Sequence, residues 1–167
     1  MSKSLGVEQA RTPNRKLVVV DLENVLFGVH EQLIGADLRE QTAQILDLAQ
    51  ARRADDQLIV GCNPHLAFAA RAAFPRAQLL TRKGADGADQ ALIDHLDVAH
   101  IAARYNELCI VSGDHAFADL AHEARWNGLT TRVVAPHLGL SAALRLQADV
   151  AVRLPKPAGG WSDATAA

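Results

Sequence analysis

The sequence predicts an α/β protein: a three-layer sandwich with a mostly parallel central sheet and helices on both faces. Three observations carry that prediction. Short β-branched apolar runs alternate with longer stretches of helical periodicity, the pattern of repeated strand–helix–strand units. Nearly half of the residues are apolar but only 4% are aromatic, so Ala, Leu and Val build a core suited to close helix-on-sheet packing. A length of 167 residues suits one domain with a sizeable core and leaves little room for a second. That domain is expected over residues 16–154. The flanks, 1–15 and 155–167, are polar or rich in Pro, Gly and Ala and are expected to be flexible tails.

The elements follow in order. "KLVVVDL" is a buried first strand. Asp37 is placed to cap a helix over "LREQTAQILDLAQARR", with Leu38, Ile45, Leu46 and Ala49 on its apolar side. "QLIVGC" is the second strand, followed by a helix over "HLAFAARAAF" that Pro75 ends. "AQLL" is a short third strand, and one long helix is expected from about Gly87 to Tyr105. "ELCIVS" is the fourth strand, and its helix over "AFADLAHEARWN" stops at Gly128. "LTTRVVA", a short helix over "SAALRLQ" and the strand "DVAVRL" complete the domain.

The totals exclude several functional classes. A formal charge of −2 excludes a strongly basic nucleic-acid-coating protein, though not a local basic rim. Cys62 and Cys109 both lie in apolar strand runs, which reads as two buried free thiols in a reducing compartment and not as a zinc site. No apolar run approaches the ~20 residues of a membrane span, and the start "MSKSLGVEQARTPNRK" has no apolar signal segment. A cytoplasmic protein without membrane attachment is the expectation. Neither a P-loop nor a Gly-x-Gly-x-x-Gly turn is present.

In parallel sheets the functional crevice lies beyond the carboxyl ends of the strands, and three acidic groups are delivered there. Asp21 ends the first strand and Asp114 ends the fourth, in "CIVSGD". These two meet if their strands are neighbours. The third comes from "TRKGADGADQALIDHL", where Asp86 is the N-cap by position and Asp89 lies in the first helical turn. Ala88, Leu92, Leu96 and Ala99 form the buried stripe of that helix. Asp89 lies beside the stripe, whereas Asp94 points about 160° from Leu92 toward solvent. Asp89 is therefore the preferred third group, with Asp86 its close competitor. Clustered carboxylates repel unless a cation joins them. An all-oxygen set suits Mg²⁺ or Mn²⁺, whose chemistry serves phosphodiester hydrolysis, most fully with two ions about 3.5–4 Å apart.

In combination, Asp21 with the following Asn24, "KGADGADQALIDHL" and "IVSGDHAFADLAHEARWNGLTTRVVA" resemble the NYN domains of the PIN-like nuclease superfamily. The resemblance runs from about Lys16 to Leu154. It implies a PIN-like, Rossmann-like fold and a metal-dependent ribonuclease acting on RNA. By position, the family's acidic residues fall on Asp21, on Asp89 or Asp86, on Asp94 and on Asp114, with Asn24 and Ser112 in support. One position departs: many members carry a further Asp where this chain has Ala116. That loss weakens a two-ion arrangement, and His115 beside Asp114 is a partial substitute, toward phosphate or a bound water.

RNA affinity would come from cations at the crevice rim. Arg82 and Lys83 precede the acidic turn and are the candidates. Arg52 and Arg53 have a sufficient explanation at a helix end, and Trp126 and Trp161 carry little support as stacking groups. His65, His95, His100, His122 and His137 show no metal-ligand spacing. Two rival readings stand beside the nuclease. One is a catalytically weakened RNA- or protein-binding regulator with the same fold, which Ala116 favours. The other, a haloacid-dehalogenase-like phosphatase, needs an Asp two residues after Asp21, where the chain has Glu23. A homodimer or a protein partner stays open.

Overall fold

The computed structural model describes residues 14–26 and 34–156, the side chains of residues 34–37 excepted. Most of the two expected tails, including Trp161, lies outside these residues, as does the Asp37 side chain.

Six strands form one sheet: β1 (Lys16–Asp21), β2 (Gln57–Cys62), β3 (Gln78–Thr81), β4 (Glu107–Val111), β5 (Thr130–Ala135) and β6 (Val150–Arg153). Every pairing is parallel, in the order β3-β2-β1-β4-β5-β6. This is the order of doubly wound sheets, in which the chain moves outward first to one side and then to the other. The reversal falls between β1 and β4.

Strand periodicity divides the core into two layers. Leu17 and Val19 of β1, with Ile59, Leu108, Ile110 and Val133, face one side. There they meet α4 (Gly87–His95), α5 (Val98–Arg104), α6 (Ala118–Trp126) and α7 (Ala142–Gln147) through Leu92, Ile101, Leu120 and Leu144. Val18 and Val20, with Val60, Cys109, Val111 and Val134, face the other. That side is covered by α1 (Leu22–Leu26), α2 (Ile34–Leu48) and α3 (Ala67–Ala73) through Leu22, Val25, Ile45, Ala70 and Phe74. Both thiols are buried and unbonded. At the amino edge, Glu107 joins Lys16 at 3.3 Å and Arg132 at 2.9 Å, tying β1, β4 and β5 together.

Three local expectations need correction. The long helix from Gly87 to Tyr105 is two helices. Leu96 turns extended, and Asp97 accepts a hydrogen bond from the His100 N–H at 3.0 Å to start α5. An Asp directly before Val98 competes with helix continuation, because its short carboxylate binds the backbone locally. The helix expected to begin after Asp37 begins at Ile34, so Asp37 lies within it. The one-turn helix α1 is not anticipated by the sequence pattern. Its Leu22, Val25 and Leu26 are buried at helical spacing, but five residues joined to an apolar strand hide the change of period. Gly128, at φ 79°, ends α6 as expected.

Gly61 brings a helix against the sheet. It pairs with Asp21 in register, and a Cβ there would stand 2.7 Å from both the Ala88 carbonyl oxygen and Leu92 Cγ. The missing side chain lets the first turn of α4 reach the carboxyl end of β2. Gly61→Ala is therefore expected to destabilise the fold by about 1–3 kcal/mol, the usual cost of overpacking. An unchanged urea midpoint would contradict this close packing.

Candidate active site at the β1–β4 switch point

Because β1 pairs with β4, their carboxyl ends lie side by side, and the chain turns there on polar side chains. Asp21 is 5% exposed. Its Oδ2 accepts the Ser112 hydroxyl at 3.2 Å and its Oδ1 accepts the Asn24 N–H at 3.3 Å. Ser112 is fully buried, and its Oγ in turn accepts the Asp114 N–H at 3.1 Å. Asn24 Oδ1 accepts the Gly113 N–H at 2.8 Å. The two strand ends are thus stitched together by Asp21–Ser112 and Asn24–Gly113. Gly113 is required because a Cβ would stand 2.3 Å from the Gly139 carbonyl oxygen. Asp114 caps the turn over His115–Phe117 by accepting the Ala116 N–H at 2.8 Å. The exposed His115 places Nδ1 3.0 Å from Asp114 Oδ1.

The acidic groups at this edge feel one another's charge. Burial pushes the Asp21 carboxyl up to about 6; the Asn24 and Ser112 donors oppose this, and the charges of Asp89 and Glu23 add to it. Asp89 is also raised, first by burial and then by Asp114 and Asp86, while the Gln90 N–H lowers it. Glu23 is raised by burial and by Asp89; His65 and the backbone N–H groups of Asn63 and Ala88 act against the rise. Mutual repulsion of this kind means that Asp21, Glu23, Asp89, Asp114 and Asp86 share one field at the sheet edge.

The other expected residues fall as follows. Asp86 occupies the N-cap position of α4 but makes no side-chain capping bond. Asp89 lies in the first turn and accepts the Gln90 N–H at 2.6 Å. Asp94 is exposed and pairs with Arg82 at 2.8 Å, on the solvated face that helical periodicity indicates. Lys83 is exposed and makes no ion pair among the described residues. Arg52 and Arg53 pair with Asp47 and Asp55. Trp126 is exposed at the end of α6.

Sequence reasoning missed Glu23 as a site member, and with it Asn63 and His65 at the end of β2. Glu23 is anticipated only by a helix at Leu22–Leu26 that turns it toward β2. The donor chemistry of the cluster is all carboxylate oxygen, which fits a hard divalent cation. Among the described residues, no three His, Cys, Asp or Glu side chains already stand in a metal-binding array. No helix of the described residues is long and apolar enough to cross a membrane.

The sequence matches the family model for the NYN domain over residues 16–155. A crystal structure of a protein of unknown function from Vibrio parahaemolyticus has a similar fold, with a TM-score of 0.58 at 16% identity. The alignment covers 86% of this chain and 94% of that one. No curated protein matches the sequence.

The raised Asp21 carboxyl makes a test of the cluster. Well below the unfolded value of 3.8 the carboxyl is neutral whether folded or unfolded, so it carries no penalty. As pH rises through about 6, the folded protein must ionise a buried group that the unfolded chain ionised near 3.8. Once the pH has passed both values, the cost levels off at roughly 3 kcal/mol. Asp21→Asn escapes it. In chelator, the variant is expected to be more stable than wild type at pH 7.5, by about 1–3 kcal/mol, with the gap closing toward pH 4. Urea unfolding at both pH values checks this, and a pH-independent gap would contradict it.

Proposed function

The chain belongs to the NYN domain family and has its nuclease-type fold, and from that premise we propose that it is a divalent-metal-dependent ribonuclease. The observation that carries the proposal is Asp21. A 95% buried carboxylate, held by Ser112 and repelled by its neighbours rather than paired with Lys or Arg, is costly to the fold and suited to a cation.

Asp21, Asp114 and Asp89 are the residues that would hold Mg²⁺ or Mn²⁺, with Asp86 able to take the place of Asp89. Mg²⁺ keeps several waters and takes only one or two carboxylates plus substrate phosphates, so this donor set fits without a preformed cage. When bound, such an ion supplies charge stabilisation to a phosphoryl oxygen and a water of lowered pKa. The protein's own part is orientation. The Ser112 hydroxyl fixes Asp21, and Asn24 holds the Gly113 turn that presents Asp114. Lys83 offers a cation to a phosphate of RNA, while Arg82 reaches one only by leaving Asp94. His115, exposed beside Asp114, is placed to contact phosphate.

A second reading rests on Ala116. A carboxylate common in the family is missing there, and its backbone N–H instead occupies Asp114 Oδ1. On this reading the domain binds RNA or a protein partner and cuts little or nothing.

Purified protein with single-stranded and structured RNA, in Mg²⁺ or Mn²⁺ against chelator, separates the two. The nuclease is expected to cleave only with metal. Asp21→Asn and Asp114→Asn should each lower the rate by about 100-fold or more, the scale of a positioned acid–base or charge-stabilising group. Ser112→Ala, which removes the hydroxyl that orients Asp21 and accepts the Asp114 N–H, should cost about 10- to 100-fold. Cleavage that persists in chelator, or that survives Asp114→Asn, would overturn the proposal. Binding that survives chelation without turnover would favour the second reading.

A further inference from the structure

Among the described residues, only two Phe, Tyr or Trp rings stand in solvent: Phe68, 89% exposed, and Trp126, 85% exposed. Phe74, Phe117 and Tyr105 are buried. Trp126 ends α6, at the amino edge of the sheet. Phe68 stands at the opposite edge, where the acidic cluster lies.

The chain around Phe68 explains both its exposure and its location. β2 ends at Cys62, and Asn63, Pro64 and the turn Pro64–Leu66 lead directly into α3. Leu66 and Ala70 are buried in the core, which turns His65 and Phe68 outward. Three residues apart across a 3₁₀-to-α junction, these two share one face. Gly61 of β2 pairs in register with Asp21, so the segment that follows Cys62 leaves the sheet beside the acidic cluster. The His65 end of this face therefore borders the acidic cluster, and Phe68 is the next step outward. β3 lies beside β2, and its carboxyl end leads to Lys83, exposed and without an ion pair among the described residues.

We infer that His65 and Phe68 form a stacking platform for an unpaired base of single-stranded RNA, with Lys83 meeting a neighbouring phosphate. The inference rests on the reading of RNA as the substrate. An exposed aromatic face is offered to any splayed base and to none that is stacked within a duplex. A cation beside it tracks the backbone, the combination by which single strands are held without sequence preference. The platform makes the enzyme select unpaired RNA before cleavage.

Fluorescence anisotropy with a labelled unstructured oligoribonucleotide, and with the same strand in a duplex, tests this. Binding is read in Mg²⁺ on an Asp114→Asn background, which leaves the probe uncut. Phe68→Ala should weaken single-strand binding by about 5- to 100-fold, the range measured for loss of a stacking ring. Duplex binding should not change. Phe68→Leu should behave like Phe68→Ala, whereas Phe68→Trp should retain affinity and show tryptophan quenching on binding. Thermal unfolding should be unaltered by any of these, because the residue is 89% exposed. Single-strand binding unaffected by Phe68→Ala, an equal loss for duplex, or no RNA binding at all would overturn the platform. Metal-dependent cleavage with an unchanged KM in Phe68→Ala would overturn the platform and leave the nuclease standing. Phe68-dependent binding without cleavage in the unsubstituted protein would do the reverse.

Discussion

The pairing of β1 with β4 is the constraint on which the site depends. A parallel sheet whose order reverses between two strands sends their following segments to opposite faces, and a crevice opens between them. In this chain the crevice is closed at its floor by the Ser112 hydroxyl on Asp21 and the Asn24 amide oxygen on the Gly113 N–H. Neither bond is formed within one strand–helix unit. Each crosses about ninety positions of sequence, so the site exists only when both halves of the sheet have joined.

Burial and hydrogen bonding oppose each other at that floor. Asp21 gains two hydrogen bonds, yet burial outweighs them and raises its carboxyl toward neutral pH. A buried hydroxyl or amide in its place would be less costly to the fold. The neighbours add to the cost, because Glu23 and Asp89 push in the same direction. Close packing elsewhere carries the burden: valines at 0–1% exposure along β1, two apolar layers, and a glycine that lets α4 seat directly on β2. Such local conflict inside a consistent fold is the pattern expected of a functional site.

Much of the architecture was legible because strands and helices leave different periods in the sequence. Six apolar runs, the stops at Pro75 and Gly128 and the strand-end positions of Asp21 and Asp114 all follow from local chemistry. The boundaries that failed did so for different reasons. At Asp97 a capping residue lies inside a pattern that otherwise continues, and at Leu22–Leu26 a helical stripe is too short to separate from the strand before it. Glu23 escaped notice for the second reason. Asp94 illustrates the converse: its periodicity indicates solvent, the motif proposes a site role, and in the structure it pairs with Arg82 at the surface.

By itself, the sequence determined the fold class, the two core layers and the delivery of an aspartate to the carboxyl end of β1 and another to that of β4, because these depend on side-chain period and on residues next to one another. Only the tertiary structure decided that β1 and β4 are neighbours, that Ser112 and Asn24 bridge them, and that Glu23 and His65 join the cluster from β2's side. Strand order is a matter of which distant segments pair, and no local pattern encodes it. The same holds for Phe68. Its sequence neighbours mark it as one more apolar helix residue, and only the docking of Leu66 and Ala70 against α2's layer turns its ring out to solvent at the carboxyl edge.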